Sequence, residues 1–218
     1  MRSVAFDVPL RAAHRPAAVF ALAMGLLTCA CASKLARNPQ TFTIDAPAPG
    51  LVPAAAATRV LSLRRVESAP TYAGSELVYR LAEHGIERDP YASLAAPPSE
   101  EFTAAIRGYL RGASFVRDVV APSEGVPVAA AIEPALSELC GDFSNPAEPA
   151  AVLTLHFRVL SPASGARLAR EILLKTYTRR VPLSQRTASA VVAAWNGALR
   201  EIMGEFLTDL QGVLPATP

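Results

Sequence analysis

The clearest periodicity in the chain lies toward its C-terminal end. Val192, Trp195, Leu199, Ile202, Phe206, Leu210 and Val213 recur at alternating steps of three and four residues, which at about 100° per residue keeps them on one stripe. The spacing predicts a long amphipathic helix that packs this stripe on a large apolar surface. A second helix is predicted from Ser99, a good N-cap, with Glu100 and Glu101 in the first turn, where carboxylates complement the helix dipole. In it Phe102, Ile106, Tyr109 and Leu110 share a face opposite Arg107 and Arg111, and Gly112 supplies a stop.

Elsewhere the period falls to two. Residues 60–67 (VLSLRRVE) and 75–81 (SELVYRL) read as strands, with weaker strand signals at 115–120, 135–143 and 166–181 and a short β-like TFTID at 41–45. In residues 151–160 the alternation is clean: Leu153, Leu155, Phe157 and Val159 face one way, Thr154, His156 and Arg158 the other. The turn SPASG that follows joins the last two strands as a hairpin, and RDPYASLAAPP before the first helix reads as a Pro-rich loop. Strands, helix, strands, helix is the order of an α+β fold, a mostly antiparallel sheet with two main helices packed on one face. A mature chain of this size buries roughly 70% of its unfolded surface, enough for an independent core.

Ahead of these elements stand a basic n-region (residues 1–15) and an apolar run, AAVFALAMGLL, at residues 17–27. The run is of signal-peptide length, short of the ~20 apolar residues that a bilayer-spanning helix needs. It leads into Leu26-Leu27-Thr28-Cys29-Ala30-Cys31-Ala32, which is similar to a bacterial lipobox. Cys31 is the better acceptor, since small Ala30 precedes it, and Cys29 is the alternative, following β-branched Thr28. An ordinary signal peptide cut near Ala30-Cys31-Ala32 is the other reading of the same residues. Acylation at Cys31 leaves Cys140 as a single thiol, expected to be a small buried apolar residue beside Glu138 and Asp142. The expected organisation is a leader at 1–30, a tether at 31–40, rich in Ala, Asn and Pro, and a domain at 41–214.

Charge narrows the function. Before Ala30, Arg2, Arg11 and Arg15 oppose only Asp7, so the whole net charge of +2 resides in the leader and the body is neutral. Arg64-Arg65 and Arg179-Arg180 are isolated pairs, and nucleic-acid binding, which needs clustered positive charge, is not expected. Catalytic and cofactor motifs are missing: no G-x-S-x-G, no P-loop, no H-E-x-x-H and no dinucleotide fingerprint. His84 with Glu83, Glu87 and Asp89 could form a metal or acid-base cluster, but a solvated charged loop accounts for it, without a second ligand pair at metal spacing. Adjacent Glu100 and Glu101 point about 100° apart and suit helix capping rather than paired-carboxylate chemistry. Trp195 reads as core, and His156 as an exposed or cross-strand residue. No enzyme, metal or cofactor is expected.

The lipobox, the strand ending Val78-Tyr79-Arg80, the Asp89-Pro90-Tyr91-Ala92 segment running through Ala95-Ala96-Pro97-Pro98 into a helix, and a last helix containing Ala190-Val191-Val192-Ala193-Ala194 come in a fixed order. In this the chain resembles the ABC-type transport auxiliary lipoproteins, the PqiC-like lipoproteins of MCE transporters, over roughly residues 42–214. It departs from them at Leu94, where the family often has tryptophan, and in a first strand reduced to Thr41-Phe42-Thr43-Ile44. The resemblance implies a non-catalytic, lipid-anchored periplasmic subunit of a lipid transport system, whose partners are an MCE protein and an ABC permease/ATPase complex. It also implies outer-membrane sorting ahead of the inner membrane, because Ala32 rather than Asp follows Cys31. An envelope scaffolding lipoprotein, contacting cell-wall or outer-membrane assembly machinery, is the alternative. Residues 82–98 and 141–149 are the expected contact loops.

Overall fold

A computed structural model describes residues 38–46, 57–81, 85–163 and 168–214. Cys29, Cys31, Glu83 and His84 lie outside them. The described elements are β1 (Gln40–Phe42), β2 (Arg59–Leu63), β3 (Glu67–Ser68), β4 (Glu76–Arg80), β5 (Ile86–Leu94), α1 (Pro98–Arg111), β6 (Val116–Val120), β7 (Ala130–Asp142), β8 (Ala150–Ser161), β9 (Arg170–Pro182) and α2 (Ala188–Val213). All lie in one compact unit, Pro39–Pro218, and the fold is α+β.

The sheet is organised around β7. Its full length pairs antiparallel with β8, and β8 with β9, making a long meander. Along its other edge β2, β3 and β4 pair in succession, each parallel to it. They behave as one interrupted strand, since the amides of Arg64 and Ala69 still donate to the carbonyls of Ile132 and Leu136 across the breaks. Pro134 falls where that edge is broken, between Ile132 and Ala135 in the register, so a central strand holds a proline without losing a ladder bond. β6 adds parallel to β2, β5 antiparallel to β4, and β1 parallel to β5. The sheet is therefore mixed: its long ladders are antiparallel, and short parallel pairs build the other side.

Alternation in β8 divides the two faces as the sequence pattern predicts. Leu153, Leu155, Phe157 and Val159 are fully buried under α2. On α2, Val191, Val192, Trp195, Leu199, Ile202, Met203, Phe206 and Leu210 are buried, a broader stripe than the spacing alone marks out. Phe206 stacks on Phe157 at 4.0 Å between centroids, and Tyr177 of β9 meets both rings edge-on. The Trp195 indole donates to the Val152 carbonyl at 3.1 Å, so this core tryptophan has its polar atom satisfied. Where α2 starts, Gly141 is required by close approach: a Cβ there would lie 2.9 Å from the Tyr79 ring and 3.2 Å from Val191.

Two local expectations change. Helix α1 begins at Pro98 with Pro97 as its N-cap, so Ser99 lies inside the first turn, and its hydroxyl accepts from Arg65 at 2.9 Å. A proline in the first turn loses no helical bond and has the right φ already, so Pro98 displaces Ser99 as the starting residue. The stretch RDPYASL, read as a loop, belongs to β5. Strands on both sides hold it in the sheet, and a bulge between the Val78↔Arg88 and Glu76↔Ser93 pairs absorbs Pro90.

Candidate functional site

The N-terminal segment is fastened to both helices. After β1, the Ile44 amide donates to Glu101 Oε2 at 3.0 Å and the Asp45 amide to Asn196 Oδ1 at 3.0 Å. The other oxygen of Glu101 accepts from the Ala96 amide at 3.1 Å. Ile44 and Ala46 are buried. Residues 44–46 are thus held at a fixed corner of the domain. Glu101 is spent there on two backbone donors, rather than only complementing its own helix dipole. Asn196 was not singled out by sequence pattern, because it sits among apolar residues of α2 with nothing local to mark its long-range partner.

The sheet face turned away from the helices carries a connected polar layer. Arg80 of β4 pairs with Glu138 and, at 3.3 Å, with Asp142; Arg180 of β9 reaches Asp142 at 2.5 Å. Burial alone would raise the Asp142 carboxyl, but the Ser144 hydroxyl, the Arg180 guanidinium and the Ser144 amide hold it down to about 2. Farther along, Thr154 donates to Glu138 at 3.3 Å, and Arg158 pairs with Glu133 at 3.5 Å and Glu171 at 2.9 Å. His156 bridges strands as expected, with Nδ1 2.6 Å from Thr176 Oγ1 and Nε2 2.8 Å from Ser137 Oγ. Both ring nitrogens are thus engaged by hydroxyls of the two flanking strands.

Cys140 is buried, and burial pushes its thiol up to about 11, with nearby Glu138 and Asp142 adding to the rise and Arg80 opposing it. It stays protonated, which is the inert environment expected of it. Asp89, from the imagined acid-base cluster, accepts from the Tyr79 hydroxyl at 2.9 Å and the Tyr91 amide at 2.8 Å, which braces the β5 bulge. Burial first, and then this bond, raise the Tyr79 phenol. Glu87 stands opposite Tyr79 in the β4 and β5 ladder. Among the described residues no group of three His, Cys, Asp or Glu side chains could hold a metal ion, and no helix is long and apolar enough to cross a membrane. Of the expected contact loops, residues 143–149 stand outside the strands at the end of β7, whereas most of 82–98 is strand β5.

This arrangement builds a positioned, densely ion-paired domain. A family model described as an ABC-type transport auxiliary lipoprotein component matches residues 42–205. The chain belongs to that family. Its fold is shared with a crystal structure of protein XCC0632 from Xanthomonas campestris, of the DUF330 family, at 17% identity and a TM-score of 0.62, covering 78% of this chain and 92% of that one. An uncharacterized protein of known structure superposes at 9% identity and TM-score 0.61, over 79% of this chain and 99% of that one. The hypothetical protein CT253 from Chlamydia trachomatis gives 12% identity and TM-score 0.50, over 74% and 100%. No curated protein matches the chain. The family reading places the chain in the envelope, as an auxiliary component of transport.

Proposed function

We propose that the chain is a membrane-anchored periplasmic lipoprotein that serves, without catalysing a reaction, as accessory subunit of an MCE-type lipid transport system. In this reading residues 1–30 are a lipoprotein signal peptide, residues 31–40 a tether and residues 41–214 the domain. Acylated Cys31 is the anchor, with Cys29 as its alternative, and the outer membrane is the expected site ahead of the inner. The observation that carries the reading is the family match over residues 42–205, with a lipobox cysteine nine residues ahead of the fastened strand β1. Two or three acyl chains give stable attachment where one chain would be marginal. A fully extended chain reaches at most about 3.6 Å per residue, so a link of this length could reach no farther than roughly 32 Å.

The test is intact mass and membrane fractionation of the wild type beside Cys31→Ala, followed by crosslinking from the tagged protein in cells. Acyl mass on the wild type alone, with an MCE or permease subunit captured, supports the reading. An unmodified N-terminus removes the anchor. Capture of a cell-wall synthase or outer-membrane assembly protein in place of a transporter subunit replaces the accessory role with the scaffolding one.

A further inference from the structure

A groove of about 440 Å³ opens between α1 and the turn after β6. Leu63, Ala104 and Pro122 form its apolar walls, and Arg65 and Arg107 bring two guanidinium groups to it. The two arginines differ in how they are satisfied. Arg65 Nη2 is shared between Ser99 Oγ and Glu100 Oε1, each at 2.9 Å, in a pair whose side chains are both more than half exposed. Arg107 has no such partner: its Nε atom is buried and makes no hydrogen bond.

A guanidinium is always charged, and a buried N–H donor left unpaired costs more than the bond it lacks would contribute. Such a group in a native fold calls for a partner outside the chain. The polar atoms around it are already engaged. Thr103 Oγ1 accepts from the Val66 amide at 2.8 Å and donates to the Ser99 carbonyl at 2.5 Å. The carboxylate of Glu100, which also lines the groove, is held by Arg65. The donor surplus in the groove is therefore cationic and forked. A carboxylate uses both oxygens on one such fork, whereas a phosphate has oxygens for two guanidinium groups at once.

We propose that this groove binds a phosphate group, through Arg107 as the buried donor and Arg65 as the mobile one at the rim. The shared chemistry covers inorganic phosphate and the phosphate ester of a lipid headgroup. In the lipid case the apolar walls would take the adjoining glycerol carbons. Binding would turn Arg65 away from Glu100 toward the ligand, replacing an exposed ion pair worth little by a charge-assisted bond.

The test follows the Arg107 Nε–H resonance of the full-length protein in a neutral detergent, at constant ionic strength. Inorganic phosphate and dihexanoyl phosphatidylglycerol are titrated separately. The expected result is a saturable shift of that resonance in the wild type and, read through the backbone amides of the groove in all three proteins, binding that is lost in Arg107→Gln and weakened about tenfold in Arg65→Gln, the equivalent of roughly one charge-assisted hydrogen bond. Arg65 is exposed, so that second variant reports on binding without threatening the fold. Saturation at lower lipid than phosphate concentration assigns the site to a headgroup, and the reverse order to the free anion. A shift that never saturates with either probe overturns the proposal. So does a backbone amide titration whose affinity is unchanged in both variants.

Discussion

Glu101 shows how one carboxylate can hold three segments of chain together. From the first turn of α1 it accepts the amides of Ile44 and Ala96, one on each oxygen. Replacing it with alanine leaves two partly buried N–H groups unpaired, at about 1–3 kcal/mol for each lost partner. Glu101→Ala is therefore expected to speed hydrogen exchange at Ile44 and Ala96 selectively. Unchanged protection at both amides would show that the clamp is held by packing alone. Asp142 supplies a second expectation. Its carboxyl lies at about 2 in the fold against an ordinary 3.8, so its contribution is complete above about pH 4 and is lost as pH falls through 2. After allowance for the half-exposed Arg180, that contribution is on the order of 1 to 2 kcal/mol. Urea unfolding of the wild type and Asp142→Asn should give stabilities that differ near neutral pH and converge toward pH 2. A gap that persists at acid pH would assign the effect to packing.

Helix α2 was the most legible element, because a stripe that repeats over six turns has only one physical explanation. Its partners could not be read in the same way. Phe157, Tyr177 and Phe206 come from three elements, and nothing local says that their rings meet. Phe206→Ala is expected to cost about 3–5 kcal/mol, since it opens a cavity beside two other rings; a denaturant midpoint nearly unmoved would mean that the site collapses. The polar side of the same interface is a lattice in which Lys175 binds Glu205 and Asp209, Arg179 binds Glu201 and Glu205, and the Tyr177 hydroxyl donates to Asp209 at 2.6 Å. Strands were harder wherever proline intervened. RDPYASL has the composition of a loop, yet pairing on both sides makes it β5, a tertiary effect that outweighs local propensity. The interrupted strand of β2, β3 and β4 reads as two separate strands in the sequence for the same reason: its continuity lies in β7, about seventy residues away.

Within the described residues the buried core runs from Ile44 to Leu214, and partly buried Phe42 of β1 packs against it. The class of the fold was readable because the change from period two to period 3.6 fixes which segments are strands and which helices. The candidate sites were readable only in part. The helical spacing puts Arg107 on the polar side of α1, but the turn at Ala121 and Pro122 that makes a groove of that side belongs to a connection without periodicity. The entry corner was likewise hidden, since its bonds run from Ile44 and Asp45 to side chains 57 and 151 residues later. This layout separates attachment from folding. If Cys31 carries the anchor, the core of the described residues lies beyond it in sequence. Cys31→Ala should then release the protein from membranes while leaving its melting midpoint in neutral detergent within about 1 °C of the wild type, because a change that removes no contact of the described core moves stability by well under 0.5 kcal/mol. Glu101→Ala should do the reverse, lowering the midpoint while membrane attachment persists. Loss of both properties in either single variant would mean that the anchor and the fold are coupled through the link between Cys31 and Gln40, and that residues 31–40 do more than connect them.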